Sequence, residues 1–145
     1  MDNKVVKEFI IKLFLIALIS LAVALLYEEV RESFQSDDPV LLKVKSNLEK
    51  VNSEKVKDLR FFEGDKSYTI NKKNVYICLK DENGGYYDEN MLTYVALHEL
   101  AHSLCDEIGH TEKFHRIFDQ LLEKAREEGV YDPNKPLTEK YCGHD

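Results

Sequence analysis

The stretch "VALHELAHSLCDEIGHTEKFH", Val95 to His115, carries four of the chain's five histidines. His98 and His102 lie four residues apart, and Glu99 directly follows the first. On an α-helix that spacing leaves two side chains about 40° apart in projection, so both imidazoles share one face, one turn apart. Two imidazoles so placed can hold one Zn2+ at about 2.0–2.1 Å each. Glu99 is turned by about 100° from His98. It sits beside the pair, where a general base for zinc-bound water belongs. Leu97, Leu100, Ala101 and Leu104 form an apolar side that can pack into a core. A buried helix with two structural histidines is the competing reading. The amphipathic setting, a strand ahead of the motif and a further histidine within range favour a metal site.

A third ligand has two candidates, His110 and His115. If the helix runs on to Ile108, His110 lies far along the axis and His115 faces the metal more easily. If the helix unwinds near Cys105, residues 106–109 can loop back and deliver His110. Gly109 permits the backbone angles of such a reversal. On a following helix His110 falls on the inward stripe with Phe114, Ile117 and Phe118, while His115 falls at its margin. The reading favours His110, with a carboxylate or water completing the site otherwise.

Working outward, "NMLTYVALHELAH" reads as one helix with Asn90 as N-cap. A second helix starts near Thr111, with apolar residues from Phe114 to Ala125 at helical spacing and Gly129 as its stop. Upstream, "DDPVLLKVKSNLEKV" reads as a helix capped by Asp38, with Pro39 in the first turn and Leu41, Val44, Leu48 and Val51 on one side. "LRFF" and "SYTI" read as short strands. "NVYICL" reads as a better one, with Val75, Ile77 and Leu79 on one face. Residues 71–74 form the turn between the last two. "NVYICL" is also the expected edge along which an extended substrate lies. Tyr86, Tyr87, Tyr131 and Tyr141 could each polarise a carbonyl, but spacing singles out none, and packing roles are expected.

The N-terminal run "FIIKLFLIALISLAVALLY", Phe9 to Tyr27, is long enough to span a bilayer, which takes roughly 17–25 apolar residues. Lys12 can snorkel toward one interface and Tyr27 can sit at the other. The preferred reading is a single-pass anchor. A cleaved signal peptide is the alternative, because Ala22-Val23-Ala24 resembles a cleavage site. A buried core helix ranks last. Lys4, Lys7 and Lys12 precede the run, so the positive-inside rule places the N-terminus in the cytosol and the rest across the membrane. The resulting division is an anchor over residues 1–27, a linker over 28–38 and a catalytic domain over 39–145.

Composition narrows the partners. Twenty Lys+Arg against 27 Asp+Glu give a net charge of −7. Nucleic-acid binding needs a clustered basic surface, and the richest basic run, Lys43 to Arg60, is broken by Glu49, Glu54 and Asp58. Three cysteines, Cys78, Cys105 and Cys142, with no CxxC pair argue against a disulfide framework or a four-cysteine zinc module. One pair could still form in an oxidising compartment. Cys105 is expected as a buried thiol. Cys142 and His144 form a C-x-H that lacks partners for a second metal site.

HELAH followed by "GHTEKF" resembles the zincin metallopeptidases, and within them the WLM and SprT-like group. Those families pair HExxH with a Gly-His element and an aromatic four residues after its histidine. Gly109-His110 and Phe114 match that pattern. The resemblance covers about Tyr68 to Gly129. It implies an α+β, minimal zincin-like domain in which a small sheet packs on the HExxH helix and a second helix. It implies one Zn2+ held by His98, His102 and His110, with Glu99 as catalyst. Members of the group are generally soluble and often act on DNA-bound proteins. The apparent anchor and the acidic charge set this chain apart, so no DNA–protein crosslink substrate is carried over.

The expected function is a membrane-anchored metallopeptidase acting on a protein or peptide and tied to a bilayer through residues 9–27. The rival is a catalytically inactive zinc protein that anchors or recruits partners at a membrane. A metal-binding assembly component, for example of a membrane-containing particle, is a weaker third reading.

Overall fold

The computed structural model describes residues 2–33 and 37–143. The chain divides into two compact units, Met1–Phe34 and Gln35–Asp145. The first holds one helix, α1, Asn3–Ser33. It is long and apolar enough to cross a membrane by length and composition, a property that a signal sequence shares. Apolar side chains along it, among them Phe9, Phe14, Ile19 and Leu25, are exposed. The polar connector expected from Glu28 begins inside this helix, which continues to Ser33. Residues 34–36 of that connector lie outside the described residues.

The second unit runs α2 Pro39–Lys57, β1 Arg60–Glu63, β2 Tyr68–Ile70, β3 Asn74–Ile77, α3 Glu89–Leu104 and α4 Glu112–Glu127. Its described residues form an α+β arrangement of three helices and one small sheet. Asp38 caps α2 as its sequence demands, accepting from Val40 N at 2.8 Å. A non-helical residue, Asn52, kinks α2, and its side chain re-caps the last turn by accepting from Lys55 N at 3.0 Å. The N-cap of α3 is Asp88 rather than Asn90, and it accepts from Met91 N at 2.6 Å. Asp88 starts the helix two residues earlier and frees the Asn90 amide. That amide donates to Asp132 O and accepts from Asp132 N, tying the segment after α4 to the start of α3.

The sheet order is β1-β3-β2, with β1 parallel and β2 antiparallel to β3. The expected substrate edge is thereby corrected. "NVYICL" supplies the central strand, whose hydrogen bonds both neighbours consume, and β1 and β2 are the two terminal strands. The turn before β3 passes through Asn71 and Lys72 at positive φ. One face of the sheet stacks Phe62, Tyr76 and Tyr68, with centroids 5.0 and 4.6 Å apart. The other face sends Phe61, Val75 and Ile77 into the core. There they meet Leu41, Val44 and Leu48 of α2, Leu92, Leu97 and Leu100 of α3, and Phe114 and Phe118 of α4. Leu104, expected in that core, is 36% exposed, because α3 ends there and the chain turns away.

A buried amide joins the helices. Asn47 of α2 donates to Glu89 Oε1 at 2.8 Å and to Thr93 Oγ1 at 3.1 Å. An unmet polar group at that depth would cost about 1–3 kcal/mol, so the pair fixes how α2 crosses α3.

Candidate metal centre

Helix α3 stops at Leu104, and Cys105 takes extended angles as its C-cap. Lys72 of the β2–β3 turn donates to Cys105 O, meeting a carbonyl that the end of a helix leaves without a partner. Gly109 then turns the chain at φ +85°, and Thr111 caps α4 by accepting from Phe114 N. Lys113 reaches back to Asp106 at 2.6 Å across the same loop. The chain therefore reverses soon after Cys105 and returns His110 to α3.

The three Nε2 atoms of His98, His102 and His110 form a near-equilateral triangle. The separations are 3.1 Å for His98–His110, 3.2 Å for His98–His102 and 3.1 Å for His102–His110. Each neutral ring nitrogen has one in-plane direction, a lone pair or an N–H, so three that converge cannot all satisfy one another. A cation at their meeting point satisfies all three. A tetrahedral zinc at about 2.0–2.1 Å from each holds its ligand atoms about 3.3–3.4 Å apart, close to the observed spacing. The donor set thus fits the ion. The His115 ring lies 6.3 Å from that of His110, outside the trio.

Phe114 is the floor of the cluster. It is fully buried, and its ring lies 4.3 Å from His102 and 4.9 Å from both His98 and His110. Burial and the neighbouring His102 and His110 rings pull the His98 pKa down to about 4. Burial and His110 also lower that of His102. Both rings are therefore neutral near pH 7, the form that binds metal.

Glu99 is 5% exposed and lines one cleft together with the three histidines. Burial pushes its carboxyl pKa up, partly offset by a hydrogen bond from Thr69. Thr69 Oγ1 donates to Glu99 Oε2 at 2.6 Å. The sequence reading missed Thr69. The two-residue alternation of "YTI" could have found it, since Tyr68 and Ile70 are exposed and Thr69 turns inward.

The cleft encloses about 550 Å3 between β2 and the loop at 107–110, with the histidine trio and Glu99 along it. Ile108, 95% exposed, stands at its rim. Of the four tyrosines considered, Tyr141 lies beside Glu99 and His98. Burial pushes its phenol up to about 12. Nothing in its spacing marks it, because a disulfide brings it there. Cys78 and Cys142 are bonded across 64 residues of sequence. That bond removes Cys142 from any C-x-H metal site, and His144 lies outside the described residues. Cys105 is the buried free thiol expected.

The chain is similar to three viral proteins. Uncharacterized protein 136R of Invertebrate iridescent virus 6 is 51% identical over 88 residues, which is 59% of this chain and 49% of that protein. Uncharacterized protein 042R of Invertebrate iridescent virus 3 is 48% identical over 86 residues, 59% of this chain and 54% of that protein. Uncharacterized protein R325 of Acanthamoeba polyphaga mimivirus is 37% identical over 81 residues, 53% of this chain and 41% of that protein. The chain spans about half the length of the curated relatives it matches. No family model and no solved structure matches it.

Proposed function

We propose that this chain is a zinc-dependent metallopeptidase of the zincin type, resembling the WLM and SprT-like group, and that α1 anchors it in a membrane. The reading places the N-terminus in the cytosol and the peptidase unit on the opposite side, on the lysine asymmetry around the apolar run. The observation that carries the activity is the convergence of His98, His102 and His110 beside the buried carboxylate of Glu99.

His98 and His102 supply two nitrogens from one turn of α3, and His110 supplies the third from the returning loop. One Zn2+ held there would supply a Lewis acid for a peptide carbonyl and would make water more acidic. Glu99 takes the proton from the attacking water as its oxygen bonds to the peptide carbon. Glu99 then passes that proton to the amine as the C–N bond breaks. The raised pKa of Glu99 suits a group that both accepts and returns a proton. Strand β2 borders the cleft, and its outer edge offers backbone groups to an extended peptide. Ile108 at the rim offers apolar contact.

The test compares wild type with Glu99→Gln, both as full chains in detergent, for zinc content and cleavage of casein. The reading expects one zinc in each and cleavage by wild type alone. Equal cleavage by both removes Glu99 from the mechanism. Zinc without cleavage in either returns the rival, a structural or recruiting zinc protein at a membrane.

A further inference from the structure

A second, smaller cavity opens off the cleft. Met91, Tyr94, Val95 and His98 recur at the spacing of one helix face and form one wall of it. Tyr141 and Ser67 form the opposite side, and Glu99 lies where the cavity joins the cleft. Its volume is about 240 Å3, below the about 300–1,000 Å3 of sites that take whole small ligands. It is sized for one side chain. Met91 and Val95 are buried apolar residues, and among the described residues Glu99 is the carboxylate that lines the space. An aspartate entering it would lose its water and face the like charge of Glu99.

Hydrogen bonds, a disulfide and ring packing hold the Tyr141 wall in place. Cys78 N donates to Ser67 Oγ at 2.9 Å, and the Ser67 hydroxyl lies 2.7 Å from that of Tyr141. The Tyr141 hydroxyl in turn donates to Cys78 O, which closes a circuit. The next residue, Cys142, donates its N–H to the Tyr87 hydroxyl at 2.8 Å and is bonded to Cys78 through sulfur. The Tyr87 and Tyr141 rings pack 4.9 Å apart. The Tyr141 hydroxyl is turned to Cys78 O, so what it presents to the cavity is its ring.

We propose that Tyr141, held by the Cys78–Cys142 disulfide, is the specificity-determining wall of a pocket that takes an apolar side chain next to the attacked bond. The pocket shares Ser67, His98 and Glu99 with the cleft, so a carbonyl at the histidine trio drops a neighbouring side chain into it. Leucine and methionine fit; aspartate does not. The inference deepens the peptidase reading and rests on it for the chemistry. The pocket itself can also be read by binding alone.

The test uses the full chain, oxidised and zinc-loaded, in detergent. One readout is cleavage of a peptide set that varies one residue beside the cut among Leu, Met, Ala, Asp and Lys. The other is calorimetric affinity for acetohydroxamate against a hydroxamate bearing an isobutyl group. Burial of an aliphatic side chain predicts a preference of about 10-fold or more for leucine over aspartate, and for the isobutyl probe over acetohydroxamate. In Tyr141→Ala and Cys142→Ser both ratios should fall to about 3-fold or less, since the wall is gone or loose. Tyr141→Trp covers the case in which those variants fail to fold. It narrows the pocket and should shift cleavage toward alanine and erase the isobutyl advantage. Equal affinity of wild type for the two hydroxamates overturns the proposal, as do ratios unchanged by the substitutions. Failure of the peptidase reading looks different: the wild type cleaves nothing, yet keeps its preference for the isobutyl probe.

Discussion

The hydroxyl of Thr69, on the terminal strand β2, donates to Glu99 Oε2 at 2.6 Å. The bond holds one carboxylate oxygen at the strand and fixes which way the other points. A carboxylate one residue from a metal-binding histidine could otherwise swing onto the ion as a ligand. Thr69 acts as a positioning residue for the proposed base. A hydrogen bond to a charged group is worth about 1.5–3 kcal/mol. Thr69→Val should therefore lower kcat by about 10- to 100-fold while KM and zinc content hold. Thr69→Ser, which keeps the hydroxyl, should restore most of the rate. Wild-type kcat in Thr69→Val would show that Glu99 needs no such guide.

Removing the base itself is the more direct experiment. Glu99→Gln keeps the shape and the Thr69 contact but cannot accept a proton. General-base loss predicts a fall in kcat of about 10²- to 10⁴-fold with the fold and zinc retained. A rate within a few-fold of wild type would sink the mechanism.

The ligand set has its own test. His110→Ala should weaken zinc binding by more than about 100-fold, since even partners one shell further out typically cost about 10- to 100-fold. His115→Ala should change it little, because that ring stands outside the trio. Competition against a chromogenic chelator reads both. The opposite ranking would reassign the third ligand.

Much of this site was legible because its signals are local. The spacing of His98 and His102, the Asp38 cap and the apolar stripe of α4 each lie within a few residues of one another. The sheet order was not legible. β3 looked like the substrate edge, yet it pairs on both sides, and which strands meet is a long-range choice that alternation does not encode. Tyr141 was invisible for the same reason. Its place depends on a bond between cysteines 64 residues apart, and three cysteines permit three different pairs. The Asp88 cap was missed because Asp88 and Asn90 are both good caps two residues apart, and Asn90 is taken by Asp132 instead.

The anchor is tested on membranes. The full chain should stay with the membrane pellet through alkaline carbonate, and a chain starting at Asp37 should be soluble. Recovery of a mature chain beginning near Leu25 would instead show that the apolar helix is a cleaved signal.

Phe114 separates metal-site architecture from general stability. Its ring touches all three imidazoles and is fully buried, so it supports the triangle and the core together. Phe114→Ala should cost about 3–5 kcal/mol and cannot tell these roles apart. Phe114→Leu is more discriminating. It keeps an apolar side chain and should cost about 1–2 kcal/mol of metal-free stability, measured by denaturant in the presence of chelator. It also removes the flat surface against which His102 lies at 4.3 Å, with the two planes 30° apart. His102 then gains rotational freedom that zinc binding must remove. The expected result is a further loss of zinc affinity of about 10-fold, the lower end of what losing an orienting partner costs. If Phe114→Leu weakens the metal-free fold but leaves zinc affinity untouched, the ring is core packing alone, and the imidazoles are oriented by α3 and the loop without it.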